Sequence, residues 1–266
     1  MAKIGFIGMG NMGTAIMRGL LKTYQPEELL FTSAHEAKMQ KITEETGVAH
    51  VSTANECAEQ VKYLVLAVKP QVLPIVFKEL NGKIRKDQVV ISIAAGYAIA
   101  DLQEGLGDGV RIVRSMPNTP AMVGEGMSGV SYDEALFTDE EKAVIDGFFT
   151  SFGKMEKVDE KLMDVVGSAS GCSPAYVYMF IEALADGCVK NGLPRQAAYK
   201  MVAQAVLGSA KMVLETGKHP GELKDMVCSP GGTTIEGLAA LEENGFRGAI
   251  IKACDANFEK NKKLKG

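Results

Sequence analysis

The 266-residue sequence predicts an α/β fold: a doubly wound parallel sheet in the first part of the chain, followed by an all-helical part. Three observations lead there. Up to about residue 158, short runs rich in Val, Ile and Leu alternate with helical patterns. A glycine turn at Gly8–Gly13 joins the first such run to the first helix. Beyond about Lys161 the β-type runs stop and a helical period takes over.

The strand candidates, in order, are Lys3–Gly8, Leu29–Ser33, Tyr63–Val68, Gln88–Ala94, Val110–Ser115 and Gly129–Tyr132. Their near-continuous apolar character fits strands covered by helices on both faces. Helix starts lie between them. Ser33-Ala34-His35-Glu36 and Thr138-Asp139-Glu140-Glu141 fit the S/T-x-x-E capping box, and Pro70 suits a first helical position.

In the second half, Tyr176, Phe180, Ala183, Leu184 and Gly187 fall at helical spacing. So do Ala198, Met201, Val202, Ala205 and Met212, and later Ile250, Ile251, Cys254 and Phe258. Gly192 with Pro194 reads as a helix stop and restart. The division falls at residues 1–160 and 161–266. The helical part, rich in Ala, Gly and Met, is about a hundred residues with few large core formers. A homodimer built on it would bury what one copy cannot.

Composition is that of an ordinary globular protein, with 46% hydrophobic and 23% charged residues. A net charge of −4 argues against nucleic acid or an anionic membrane as the main partner. The lysines at 260, 262, 263 and 265 read as a solvated helix end. Five cysteines without a C-x-x-C pair, and three histidines, offer no zinc spacing. They are expected to be reduced, mostly buried thiols of a cytoplasmic protein. The early glycine loop leaves no room for a signal peptide, and the longest charge-free stretch, Val165–Ile181, is broken by Gly, Ser and Pro.

Gly8-Met9-Gly10-Asn11-Met12-Gly13 is G-x-G-x-x-G, set between a strand and a helix with the next strand at Leu29. That context makes it a Rossmann-type dinucleotide fingerprint. Gly8 allows the tight turn, Gly10 the approach of a pyrophosphate and Gly13 close helix–strand packing. The second strand ends in Phe31-Thr32-Ser33-Ala34-His35, where an NAD enzyme usually carries Asp or Glu. A hydroxyl there tolerates a 2′-phosphate, so NADPH is favoured over NADH. Glu36 is the rival acid, although the capping box accounts for it equally well.

Ala67-Val68-Lys69-Pro70 ends a buried strand at the edge where such sheets bind ligands. Met116-Pro117-Asn118-Thr119-Pro120 follows another strand and forms a stiff loop, a site wall or a tight turn. In the helical half, Ser229-Pro230-Gly231-Gly232-Thr233-Thr234-Ile235-Glu236 contains another capping box. The paired glycines also make that helix start a carboxylate receptor, with the Thr234 hydroxyl beside it. A small carboxylate substrate held between the domains follows.

These motifs, with Ser173-Pro174-Ala175-Tyr176, Asp186-Gly187, Gly192-Leu193-Pro194 and His219-Pro220-Gly221, make the chain resemble pyrroline-5-carboxylate reductase over essentially its whole length. The resemblance implies reduction of 1-pyrroline-5-carboxylate to L-proline by NADPH or NADH, the last step of proline biosynthesis. It implies a helical domain that interleaves into a homodimer, often assembled further into rings. By position, Phe6, Ile7, Gly8, Met9, Gly10, Asn11, Gly13, Ser33, Asn55, Ala67, Val68, Lys69, Pro70, Ile93, Ala94 and Ala95 would contact the cofactor. Ser229, Gly231, Gly232, Thr233 and Thr234 would hold substrate, with Thr234 catalytic. The family's usual G-S-G-P-A-Y reads Gly171-Cys172-Ser173-Pro174-Ala175-Tyr176 here, with Cys172 at the departure. Gly217 and Met226 stand where some members place a substrate-side glutamate and a cofactor-side asparagine.

Two other readings compete. A β-hydroxyacid dehydrogenase or imine reductase starts with a similar loop, but the former needs a catalytic lysine. Its candidates here, Lys190, Lys200 and Lys211, lie on amphipathic helices. A non-catalytic NADP-sensing protein would bind the nucleotide without oxidising it.

Overall fold

The computed structural model describes residues 3–263, so Lys265 of the lysine tail lies outside the described residues. The strands are β1 (Ile4–Ile7), β2 (Leu29–Thr32), β3 (Ala49–His50), β4 (Tyr63–Leu66), β5 (Val89–Ser92), β6 (Arg111–Met116), β7 (Gly126–Ser131) and β8 (Gly153–Lys157). Between and after them come α1 (Asn11–Leu20), α2 (Glu36–Thr46), α3 (Ala54–Gln60), α4 (Leu73–Leu80), α5 (Ile99–Leu106) and α6 (Asp139–Thr150). The remaining helices are α7 (Met163–Val166), α8 (Ser173–Lys190), α9 (Arg195–Thr216), α10 (Pro220–Val227), α11 (Thr233–Glu243) and α12 (Phe246–Lys262).

One sheet runs β3-β2-β1-β4-β5-β6-β7-β8. The strands from β3 to β6 pair in parallel, as expected, and the order reverses direction at β1, the crevice position of doubly wound sheets. Successive strand residues alternate between two cores. Leu29, Phe31, Tyr63, Val65, Val89 and Ile91 join α1 and α6 on one face. Leu30, Leu64, Leu66 and Val90 join α3, α4 and α5 on the other. Both faces are therefore dry, which is why the strands read as unbroken apolar runs.

The far edge departs from a wholly parallel sheet. β7 pairs antiparallel with β6, because the link Pro117–Glu125 is too short for a helical crossover. β8 then pairs in parallel with β7. Neither β3 nor β8 was expected. The former has two residues, and the latter, Gly-Lys-Met-Glu-Lys, is an edge strand with no apolar run.

Two capping boxes are corrected. α2 is capped by extended His35, with no side-chain cap bond, so Ser33 is not its N-cap. α11 is capped by Gly232, which moves Thr233 into the first helical position. The Thr138–Glu141 box forms as expected, and Pro70 opens a 3-10 turn capped by Lys69.

Compactness divides the chain into residues up to Cys172 with those from Asn257 onward, and a second unit, Ser173–Ala256. This differs from the expected 160/161 division. Arg114, buried on β6, pairs with Glu160 and Asp164 at 3.4 and 3.2 Å, which keeps that stretch with the sheet. A π-turn, Gly167–Gly171, ends the stretch. Ser168 donates to Asn257 Oδ1 at 2.7 Å, and Asn257 Nδ2 to Cys172 Sγ at 2.8 Å. The departure at Cys172 is thus accommodated as an acceptor.

The second unit is helical, and its buried core is Ala185, Ala198 and Val202, where α8 meets α9. None of the five cysteines forms a disulfide; Cys57 is buried and the other four are half-buried, so fewer are buried than expected. Burial pushes the Cys57 thiol up to about 12.

Candidate active site

The parallel register brings the carboxyl ends of β2, β1, β4 and β5 level: Thr32 lies beside Ile7, Ile7 beside Leu66, and Leu66 beside Ser92. Gly8 N donates to Thr32 O at 2.9 Å, Ala67 N to Ile7 O at 2.8 Å and Ile93 N to Leu66 O at 3.2 Å. The expected cofactor residues Gly8–Asn11, Ser33, Ala67–Pro70 and Ile93–Ala95 are therefore gathered along one sheet edge. The Tyr97 hydroxyl donates to Pro70 O at 3.4 Å and links two of these loops.

Gly8 takes the tight turn and Gly13 the close helix–strand packing expected of them. Gly8 has φ +97°, and a Cβ there would meet the Ala67 carbonyl at 2.8 Å. A Cβ on Gly13 would meet Gly8 O at 2.7 Å. At Gly10 a Cβ would have nothing within 4 Å, so the space above it is open. Gly10 caps α1 without a side-chain bond, and no acid stands in the first turn. Free N–H groups and the positive helix end face that space.

Other expected contacts differ in kind. The side chains of Phe6, Ile7 and Met9 are buried in the two cores, so only their backbone is available at the edge. Lys69 is exposed and has no ion pair among the described residues. Asn55, at the start of α3, gives its Nδ2 to Glu59 at 2.7 Å, while its Oδ1 is buried with no partner. An orphaned acceptor in a native fold calls for a donor.

In the sequence Asn118 is marked only as part of a stiff loop. Its Oδ1 accepts from Met127 N at 2.8 Å and its Nδ2 donates to Ser170 O at 3.1 Å. It ties the loop after β6 to the start of β7 and to the π-turn. The signal in the sequence is an asparagine set between two prolines, Pro117 and Pro120.

In the second unit, Ser229 O accepts from Gly232 N at 3.0 Å, and Gly231 has φ +65°. A side chain at Gly232 would collide with Ser229 Oγ. The turn leaves the N-terminus of α11 open, with Thr233 and Thr234 exposed beside it. Lys190, Lys200 and Lys211 are exposed, and Lys211 pairs with Glu215 at 3.4 Å. Among the described residues no helix is long and apolar enough to cross a membrane.

Fold and sheet edge together define a dinucleotide-binding α/β protein with an appended helical segment. Residues 3–96 match the family described as NADP oxidoreductase, coenzyme F420-dependent, and residues 160–264 match the pyrroline-5-carboxylate reductase dimerisation family. A pyrroline-5-carboxylate reductase of Escherichia coli is 48% identical over 98% of both chains. One of Arabidopsis thaliana is 42% identical over 98% of this chain and 95% of its own. The solved Plasmodium falciparum pyrroline carboxylate reductase, with NADP bound, superposes with TM-score 0.89 at 34% identity, covering 100% of this chain and 98% of that one. The chain belongs to the pyrroline-5-carboxylate reductase family.

Proposed function

We propose that the protein reduces 1-pyrroline-5-carboxylate to L-proline with NADPH, the last step of proline biosynthesis. The observation that carries the cofactor half is the open space over Gly10 at an uncapped helix start. A pyrophosphate fits there because it supplies the acceptors the α1 N–H groups lack. The orphaned Asn55 Oδ1 suits a ribose or amide donor, Ser33 and Lys69 suit phosphate oxygens, and Ile93–Ala95 line the same edge. When bound, reduced nicotinamide supplies a hydride for the imine carbon.

The residues of α11 supply binding and orientation. The N–H groups after Gly231 and Gly232 receive the substrate carboxylate, with Ser229 and Thr233 shaping the turn. The Thr234 hydroxyl hydrogen-bonds the ring nitrogen and orients it. A threonine hydroxyl is too weak an acid to protonate an amine outright, so the proton comes from water through it. Positioning accounts for most of the rate.

The protein works as a homodimer through its helical segment. Its support is the second unit's surface: Met179, Met201, Leu207 and Leu214 are more than half exposed in one copy. A larger, ring-like assembly is compatible with that reading. The setting proposed is the cytoplasm, in keeping with five cysteines outside any disulfide.

The test is NADPH consumption with pyrroline-5-carboxylate and recovery of proline. Thr234→Ala should lose about a hundredfold in kcat/KM. Unchanged turnover and affinity would remove Thr234 from the mechanism, and absence of turnover in the wild type would reject the reaction.

A further inference from the structure

Glu36 is the acid that could meet the adenine ribose, three positions beyond Ser33 in the chain. The structure shows what holds it. Its Oε1 lies 3.3 Å from His50 Nε2 and accepts from Gln40 Nε2 at 3.3 Å. His50 ends β3, in register with Phe31 of β2, and its ring stands 5.7 Å from that of Phe31. Its side chain is 22% exposed, against 60% for Glu36.

The other ring nitrogen sets the proton count. His50 Nδ1 is 2.8 Å from Thr43 Oγ1, and that hydroxyl lies 2.8 Å from Val48 O. The hydroxyl has one proton, and the carbonyl can only accept. Thr43 therefore donates to Val48 and accepts from Nδ1–H. With Nδ1 protonated, Nε2 carries a proton only in the imidazolium. Charged, His50 donates to Glu36; neutral, it turns a lone pair toward the carboxylate. The other charged or titratable groups on the flanking elements are His35 and Lys38, exposed on either side of Glu36, Lys41 of α2, which pairs with Glu45 at 3.9 Å, and Glu56 of α3, which accepts from Ser52 N at 3.0 Å.

We propose that Thr43, His50 and Glu36 form a proton-controlled selector for the ribose 2′ position. The His50 imidazolium holds Glu36 back and admits the 2′-phosphate of NADPH. Neutral His50 releases the carboxylate, which repels that phosphate and accepts from the 2′-hydroxyl of NADH. Glu36 and His50 are thus specificity-determining residues, His50 acting through Glu36. The inference rests on the cofactor reading above.

The experiment measures dissociation constants for NADPH and NADH on the intact protein, without substrate, between about pH 5.5 and 8.5, the range in which histidines titrate. The ratio Kd(NADH)/Kd(NADPH) of the wild type should fall about tenfold as pH rises, the effect of one carboxylate near a dianion in a wet site. The 2′-phosphate also gains charge in this range, so Glu36→Gln is the reference and should show no fall. His50→Gln keeps a donor at every pH and should hold the ratio high, with no fall, as in Glu36→Gln. His50→Phe keeps a ring against Phe31 but no donor, and should hold it low. Identical profiles for wild type and Glu36→Gln, or a wild-type profile in His50→Phe, would overturn the selector. Failure of the wild type to bind either nucleotide would overturn the cofactor reading as well.

Discussion

Gly10 and Gly13 sit three residues apart in one loop, and the same substitution should damage the protein in different ways at each. An alanine at 13 puts its methyl 2.7 Å from the Gly8 carbonyl and 3.3 Å from Ala67 Cβ, both parts of the rigid edge. Overpacking of that kind costs about 1–3 kcal/mol. The better helix propensity of alanine returns about 1 kcal/mol. Because the methyl meets backbone, the overpacking cost lies at the upper end of its range, and the net loss of about 1–2 kcal/mol lowers Tm by about 2–8 °C in a chain of this length. An alanine at 10 meets nothing within 4 Å, and its backbone, φ −73° and ψ −172°, is open to any residue. Only the weaker N-cap tells, at about 0.5 kcal/mol. Its methyl, however, stands where a pyrophosphate must approach. NADPH affinity should fall at least about tenfold while Tm stays within about 2 °C. Thermal melts and titration of NADPH fluorescence read both quantities, and with no tryptophan in the chain the fluorescence background is low. Wild-type NADPH affinity in Gly10→Ala would refute the assignment of that space to the pyrophosphate. Wild-type stability in Gly13→Ala would refute the packing role.

Further outcomes follow from other sites. Burial would raise the Glu141 carboxyl, but hydrogen bonds from Arg111 and Lys62 and from the Thr138 backbone outweigh it and hold the group near 2, below its ordinary 4.5. A carboxyl depressed on folding stabilises above its unfolded value, so its contribution of about 3 kcal/mol is lost as pH falls from about 4.5 toward 2. Acid melts should show that loss, and Glu141→Gln should flatten it. Thr234→Ser, which retains the hydroxyl, should keep kcat/KM within about tenfold of wild type where Thr234→Ala does not. Met179, 73% exposed on α8, should shift the protein from dimer to monomer in sedimentation velocity when changed to Glu.

The fold was legible where burial on both faces made the strands apolar, and illegible where that condition lapsed. β1, β2, β4, β5 and β6 all carry residues of both cores, and their runs stand out in the sequence. β8 has polar and half-buried positions throughout, so no run marked it. The reversal at β7 was hidden for another reason, since direction depends on the length of a connection rather than on strand composition. The two misread caps share a cause. A Ser/Thr-x-x-Glu match tests side chains, whereas the helix begins where the backbone turns. At α2 the turn comes at His35, and at α11 it comes at Gly232. Correcting the first cap changes the chemistry assigned to it. Ser33, no longer a cap, has its hydroxyl free for phosphate, and Glu36, no longer reaching back to Ser33, reaches to His50 instead.

The site was legible to different depths for the same physical reason. Backbone-driven binding leaves a spacing in the sequence, because glycine is the residue that opens a turn, admits a phosphate or brings a helix close. The turn at Gly8 and the close packing at Gly13 are therefore legible in the spacing, and Gly10 is the position that spacing reserves for a phosphate. Side-chain relays leave no such spacing. His50 lies seven positions from Thr43 and fourteen from Glu36, and only the parallel pairing of β3 with β2 brings the ring between them. Asn118 reaches Ser170 across fifty-two positions in the same way. What a sequence hides here are polar contacts formed by sheet register and loop return. If nucleotide preference depends on such a contact, motif matching at the end of β2 will misassign it. The acid that motif matching looks for is present in this chain, and whether it acts depends on a histidine from the neighbouring strand.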